Sequence, residues 1–186
     1  MSSPNIALLD TSFFATCLKL KIHHNIDIFP SLTLLAEYVL VPLEIRNEVE
    51  RFRPPETRPE EINEFLNNLL TNEGFYRICS SYDTIILSEL ESIIDKGEAE
   101  IIAQAQKIEE YWIWIDNTRD TAKVEKSYNH FHFHNIITIV YLLHYKGFLP
   151  YPIEETILKV NKVYNHGVEK RSAAELQAQK WLSING

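Results

Sequence analysis

Two short apolar runs, Asn5-Ile6-Ala7-Leu8-Leu9 and Tyr111-Trp112-Ile113-Trp114-Ile115, each stop at an aspartate, Asp10 and Asp116. Neither run alternates with polar residues. That pattern fits strands covered by helices on both faces, since a strand with one solvated face alternates. Tyr38-Val39-Leu40-Val41 predicts a second strand and Phe75 to Cys79 a third. Between them, Phe13, Phe14, Cys17, Leu18 and Leu20 recur at helical spacing over Thr11 to Lys21, and Ser31 is placed to cap a short helix through Ala36. Pro42 suits the first turn of a helix carrying Leu43, Ile45 and Val49, where its missing N–H costs nothing. The Pro-rich stretch Arg53 to Pro59 reads as a loop before an amphipathic helix from Glu60 to about Thr71. Tyr82 to Gln106 predicts two helices broken at Asp95-Lys96-Gly97, where Gly97 loosens the backbone.

This alternation of strands and helices predicts an α/β fold with a mainly parallel central sheet over residues 1–150. After Pro150 the chain changes character. Ile153 to Val160 and Ala173 to Leu182 predict two amphipathic helices separated by Asn165-His166-Gly167, a C-terminal extension over residues 151–186. Its apolar faces pack on the same chain, or on a partner such as a second copy.

At 186 residues and 45 % hydrophobic content the chain can bury a substantial core, which excludes a disordered protein. Its two cysteines, Cys17 and Cys79, lie in apolar stretches with no CxxC pair, as expected of reduced thiols in a cytoplasmic protein. No basic segment with an apolar core opens the chain, and no apolar run approaches the ~20 residues of a membrane helix, so neither secretion nor a membrane span is expected. A net charge of −8 excludes a broad basic surface for gripping nucleic acid. It leaves a nuclease open, because a bound cation supplies positive charge locally. Arg46, Arg51, Arg53, Arg58 and Lys123 are candidate phosphate contacts, with solvated surface charge as the plainer reading.

Asp10 and Asp116 stand at the carboxyl ends of their strands, where open α/β sheets bind ligands. Each also precedes a predicted helix and can serve as its N-cap. Two further acids have the same double reading. Glu98, or Glu100 beside it, complements a helix dipole, and Glu48 can be a solvated partner of Arg46 or Arg51. If the four meet at one sheet edge, pairs about 4 Å apart repel by about 4 kcal/mol at an effective dielectric of roughly 20, so they must take protons or bind a cation. Donors that are all oxygen suit Mg²⁺ or Mn²⁺.

A rival cluster, His130-Phe131-His132-Phe133-His134, puts three histidines on one face of a strand, with neighbours ~6.6 Å apart. That is too far for all three to reach one zinc at ~2.0–2.1 Å. The phenylalanines are expected to fill the core face, leaving the histidines to solvent or a covering helix. His23-His24 reads as a loop, and Trp112 and Trp114 as buried residues on one strand face.

The ordered set Asp10-Thr11-Ser12, Val41-Pro42 with Glu48 in Leu43-Glu44-Ile45-Arg46-Asn47-Glu48-Val49, Gly97-Glu98-Ala99-Glu100, and Trp114-Ile115-Asp116-Asn117 resembles the PIN domain. It is most similar to a PIN subgroup marked by a Gly-Glu-Ala-Glu helix start and described as nucleic-acid-binding or as a toxin–antitoxin component. Asn135 to Leu149 and the C-terminal helices also fit that subgroup, so the resemblance spans nearly the whole chain. It implies a three-layer α/β/α sandwich and a metal-dependent endoribonuclease that takes RNA, with an antitoxin protein as a possible partner. It also implies that Asp10, Glu48, Glu98 and Asp116 are the four acids of a Mg²⁺ or Mn²⁺ site. Asp10 and Asp116 would hold the principal metal. Where the subgroup has an Asp pair followed by Arg, this chain reads Asp116-Asn117-Thr118-Arg119-Asp120. Either Asp120 substitutes one turn further along, or the site has lost a charge and the fold serves as a weak or inactive interaction module.

Overall fold

The computed structural model describes residues 6–51, 60, 62–64, 67, 74–125, 131–167 and 171–185, with the side chains of 118–120 and 185 outside that description. Five strands form one sheet: β1 (Ile6–Leu9), β2 (Tyr38–Pro42), β3 (Tyr76–Cys79), β4 (Tyr111–Trp114) and β5 (Phe133–His134). Their spatial order is β3-β2-β1-β4-β5 and every pairing is parallel. Helices lie on the sheet's flanks, giving the three layers of an α/β/α sandwich. β1 occupies the centre, with Ile6 opposite both Tyr38 and Tyr111. Ala7, Leu8 and Leu9 are fully buried, which is why the run lacks polar alternation.

The helices are α1 (Thr11–His24), α2 (Phe29–Leu32), α3 (Leu43–Arg51), α4 (Thr84–Leu90), α5 (Lys96–Ala105), α6 (Thr118–Val124), α7 (Ile136–Tyr145), α8 (Ile153–Tyr164) and α9 (Ala173–Asn185). Residues 60, 62–64 and 67 are also helical, and Ile62 is buried. The Pro-rich stretch at 53–59 lies outside the described residues.

Several elements depart from the sequence expectation. His23-His24 forms the last turn of α1 rather than a loop, because Asn25 at φ 53° closes the helix by donating to the Leu20 and Lys21 carbonyls. Asparagine tolerates that left-handed conformation and so ends helices as glycine does. Ser31 lies inside α2 instead of capping it, and its hydroxyl donates to the Phe148 carbonyl at 3.2 Å. Pro42 ends β2, opposite Cys79, rather than opening α3. It stands two positions past the last residue paired with β1, where a missing N–H breaks no bond to that neighbour.

The C-terminal helices pack on the same chain. Tyr151 Oη accepts from the Asp27 amide at 3.1 Å, and Asn135 Nδ2 donates to the Ala174 carbonyl at 3.0 Å. Val160, Ala174 and Ala178 belong to the common core. Among the described residues no helix is long and apolar enough to cross a membrane.

The histidine-rich strand divides its residues differently from the simple alternation. Phe131 is buried and His132 exposed as expected, but Phe133 is only partly buried and His134 is enclosed, 1 % exposed. The cause is α9, whose Trp181 covers that face. The His134 ring lies edge-on between Trp112 and Trp181, with centroids at 4.7 and 5.0 Å. Neither ring nitrogen has a hydrogen-bond partner among the described residues. Burial pushes the imidazole down to about 3, so it stays neutral where the unfolded chain, with an ordinary value of 6.5, takes a proton. Stability from this residue is therefore present above that ordinary value and lost as the pH falls toward 3. In paired chemical-denaturation series, His134→Phe should lose less stability on acidification than the wild type, by about 1.4 kcal/mol for each pH unit below ~6. Equal slopes would refute this account.

Candidate functional site

The carboxyl edge of the sheet is closed by one serine. The Asp10 amide donates to the Trp114 carbonyl at 3.0 Å, which carries the β1–β4 pairing to the point where both strands end. Asp10 then caps α1, its Oδ2 accepting from the Ser12 amide at 2.8 Å and from the Ser12 hydroxyl. The same hydroxyl oxygen accepts from the Asp116 amide at 3.0 Å. The N-cap reading of Asp10 holds, and it coexists with a place beside further acids.

Glu48 arrives from α3 and is held by Thr11, whose hydroxyl donates to its Oε2 at 2.5 Å. Glu98 arrives in the first turn of α5, where the helix dipole favours a carboxylate. Its Oε1 accepts from Asn117 Nδ2 at 2.8 Å. Gly97 makes this approach possible. A Cβ there would lie 2.7 Å from Ile45 Cδ1 and 2.8 Å from Glu48 Oε1, so its use is close contact between α3 and α5 rather than a loosened backbone. Glu100, two residues on and thus ~200° around the helix, faces elsewhere. Its Oε2 accepts from the Glu44 amide at 3.1 Å and satisfies the start of α3. Glu44 in turn takes Lys96 at 3.2 Å and Arg51 at 3.7 Å.

The structure thus gathers Asp10, Glu48 and Glu98. The influence of the other two acids appears in the proton affinity of Asp10. The Asp10 carboxyl is pushed up to about 7, first by burial, then by the Glu98 charge, with the Ser12 hydrogen bonds opposing and Glu48 adding a smaller rise. Glu48 is also raised, chiefly by burial, against the Thr11 hydrogen bond; the acids that add to its rise are Glu44 and Asp95 rather than Asp10 or Glu98.

Asp116 differs. Its backbone sits at the cluster through Ser12, but its carboxylate turns to the far side. Oδ1 accepts from the Ile136 amide at 2.9 Å, at the start of α7, and from the Tyr164 hydroxyl at 2.5 Å, at the end of α8. Burial raises it to about 6, and the hydroxyls of Thr16 and Tyr164 and the Ile136 amide restrain the rise. The residue is half-buried overall while its Oδ2 is fully enclosed. Asn117, the next residue, points the opposite way and is the one that reaches Glu98. The Asp120 side chain lies outside the described residues.

The donors around Asp10 are carboxylate and hydroxyl oxygens, a type that suits a hard divalent cation. Among the described residues, however, no group of three or more His, Cys, Asp or Glu side chains could hold an ion as arranged. The fourth acid, Asp116, is the one directed elsewhere. No protein-family model matches the chain, and no curated protein matches it significantly.

Three contributors escaped the sequence reading. Glu100 as the cap of α3 follows from helix geometry once Glu98 is assigned inward. Asn117 follows from the opposite directions of consecutive residues in extended backbone. Tyr164 lies 48 residues from Asp116 and no local signal announces it.

The raised carboxyl of Asp10 fixes a pH dependence. As the pH rises from its ordinary 3.8 to about 7, the unfolded chain releases this proton while the folded one keeps it, so stability falls through that window and levels off above it. With chelator present, Asp10→Asn should remove that slope and be more stable than the wild type at pH ~8, by on the order of 4 kcal/mol. Denaturant melts across the window check it, since His134 acts equally in both proteins. A parallel slope in the variant would contradict the assignment.

Proposed function

We propose that the chain is a metal-dependent endoribonuclease whose centre is the group of Asp10, Glu48 and Glu98. The observation that carries this reading is the convergence of three acids from β1, α3 and α5 at the carboxyl edge of a parallel sheet, where Asp10 is driven to about 7 by burial and by Glu98. Nearby Lys96 and Arg51 pair with Glu44, and of the two Arg51 also acts on Glu48. A buried carboxylate raised by its neighbours gains from a divalent cation what it otherwise obtains from a proton.

Each acid has a residue that orients it. Ser12 holds Asp10, Thr11 holds Glu48 and Asn117 holds Glu98. Such partners fix the lone pairs a ligand must present, as the supporting residues of metal sites do. A bound Mg²⁺ or Mn²⁺ would polarise the scissile phosphate and lower the pKa of the attacking water. The cation also offsets the phosphate charge that a net −8 protein would otherwise repel. RNA as the substrate, an antitoxin as inhibitor, and a cytoplasmic setting where Cys17 and Cys79 stay reduced all rest on the sequence resemblance and the thiols.

A second reading, a PIN-like interaction module without effective catalysis, is favoured by two particulars. Asn117 brings an amide where the subgroup has a second acid, and the Asp116 carboxylate is engaged by Ile136 and Tyr164.

Mn²⁺-dependent cleavage of single-stranded RNA should fall more than roughly a hundredfold in Asp10→Asn, with the circular dichroism spectrum unchanged. Cleavage at wild-type rate in that variant rejects the assignment; absence of both cleavage and Mn²⁺ binding in the wild type selects the module. Glu98→Gln should weaken Mn²⁺ binding in calorimetry, whereas Glu100→Gln should leave the affinity unchanged, because an amide oxygen can still accept from Glu44. Equal losses in the two would show that α5 does not sort its acids as described.

A further inference from the structure

We propose that Tyr164 is a positioning residue that keeps the Asp116 carboxylate turned away from Asp10, Glu48 and Glu98, so that the C-terminal helical pair sets how tightly the site takes a divalent cation. This deepens the metal-centre reading and rests on it.

The geometry separates the backbone of Asp116 from its carboxylate. The amide is tied to Ser12 Oγ at 3.0 Å, and that hydroxyl donates to Asp10 Oδ2, so the Asp116 backbone is joined to the Asp10 carboxylate through one side chain. Only the side-chain torsions of Asp116 decide whether its oxygens face the cluster. At present Oδ1 takes two donors on the other side, the Ile136 amide at 2.9 Å and the Tyr164 hydroxyl at 2.5 Å. A phenol donating to a carboxylate is among the stronger neutral-donor bonds, because the acceptor carries charge. The Ile136 amide belongs to a buried helix start and stays where it is. Tyr164 is the last residue of α8, immediately before the Asn165-His166-Gly167 turn. A cavity of about 270 Å³ bordered by Asp116, Tyr164, Asn165 and Ser172 leaves room beside the pair.

The arrangement explains why the described acids form an open set. Oδ1 is held by Tyr164 and Ile136 and Oδ2 is enclosed without a hydrogen-bond partner, so the carboxylate serves a cation near Asp10 only by turning out of the Tyr164 bond. Removing the phenol hydroxyl lowers the cost of turning the carboxylate inward. Cation binding and the Tyr164 bond therefore oppose each other, and by linkage each weakens the other equally.

The test uses the full chain and Mn²⁺ alone. Tyr164→Phe should bind Mn²⁺ at least about tenfold more tightly than the wild type in calorimetry, and adding Asp116→Asn should abolish the gain. Unchanged or weaker binding by a folded Tyr164→Phe protein overturns the proposal. A wild-type measurement covers the case in which that variant does not fold. On titration with Mg²⁺, the Ile136 amide resonance should shift in step with saturation as Asp116 lets go; an Ile136 resonance that stays still while Mg²⁺ binds overturns it. Binding lost in Asp10→Asn but indifferent to Tyr164→Phe removes the Tyr164 role and leaves the metal centre standing. No binding by any of the proteins removes both.

Discussion

The Ser12 hydroxyl is the joint on which the rest of the site depends. It donates to Asp10 and accepts from the Asp116 amide, so one oxygen connects the end of β1, the start of α1 and the end of β4. A hydroxyl is suited to that place because it donates and accepts at once. A methyl there would leave the Asp116 amide without this acceptor and Asp10 short of one of the donors that make its burial tolerable. The sheet could still pair, but the two aspartates would no longer share a fixed frame.

Around that joint the chain handles its acids in two ways. Glu44 and Glu100 are placed structurally: one takes Lys96 and Arg51, the other receives an amide at the start of α3. Asp10, Glu48 and Glu98 are oriented by hydrogen bonds from the neutral groups of Ser12, Thr11 and Asn117, with the Arg51 charge also drawing on Glu48. A neutral donor orients a carboxylate without cancelling its charge, and at Asp10 burial and the neighbouring acids then raise proton affinity. The division runs between acids two residues apart on one helix, Glu98 and Glu100, since ~200° of rotation sends them to different neighbours.

The central strands are legible in the sequence because burial on both faces erases polar alternation, and Ala7 to Leu9 and Trp112 to Trp114 carry nothing else. The break at Asp95 to Gly97 is legible too, although Asp95 stands at the N-cap position without a side-chain cap bond and Gly97 serves close packing against α3. Pro42 and Ser31 misled because proline and serine suit more than one local position, and which one is used depends on strand register and on Phe148, distant in sequence. Alternation alone does not tell a solvated face from one covered by a later helix, and of those two His134 takes the second, through Trp181. Of the four acids, Asp10 is readable from its strand end, whereas Glu48, inside α3, and the choice of Glu98 over Glu100 are not fixed by local pattern and enter only through the resemblance. The direction of the Asp116 carboxylate is not readable, since it is set by a phenol from the last third of the chain.

The two aspartates at the strand ends make a natural comparison. Both carboxyls are enclosed, but Asp116 reaches about 6 with amide and hydroxyl donors around it, whereas Asp10 reaches about 7 despite two bonds from Ser12. Burial is common to both. What Asp10 has in addition is the repulsion of Glu98 and Glu48. A cation relieves repulsion most where like charges already face each other, while at Asp116 it must draw away Oδ1, which holds two donors, although the enclosed Oδ2 holds none. The energetic order for such a ligand is therefore Asp10 with Glu98 and Glu48 first, and Asp116 only after its present bonds are given up.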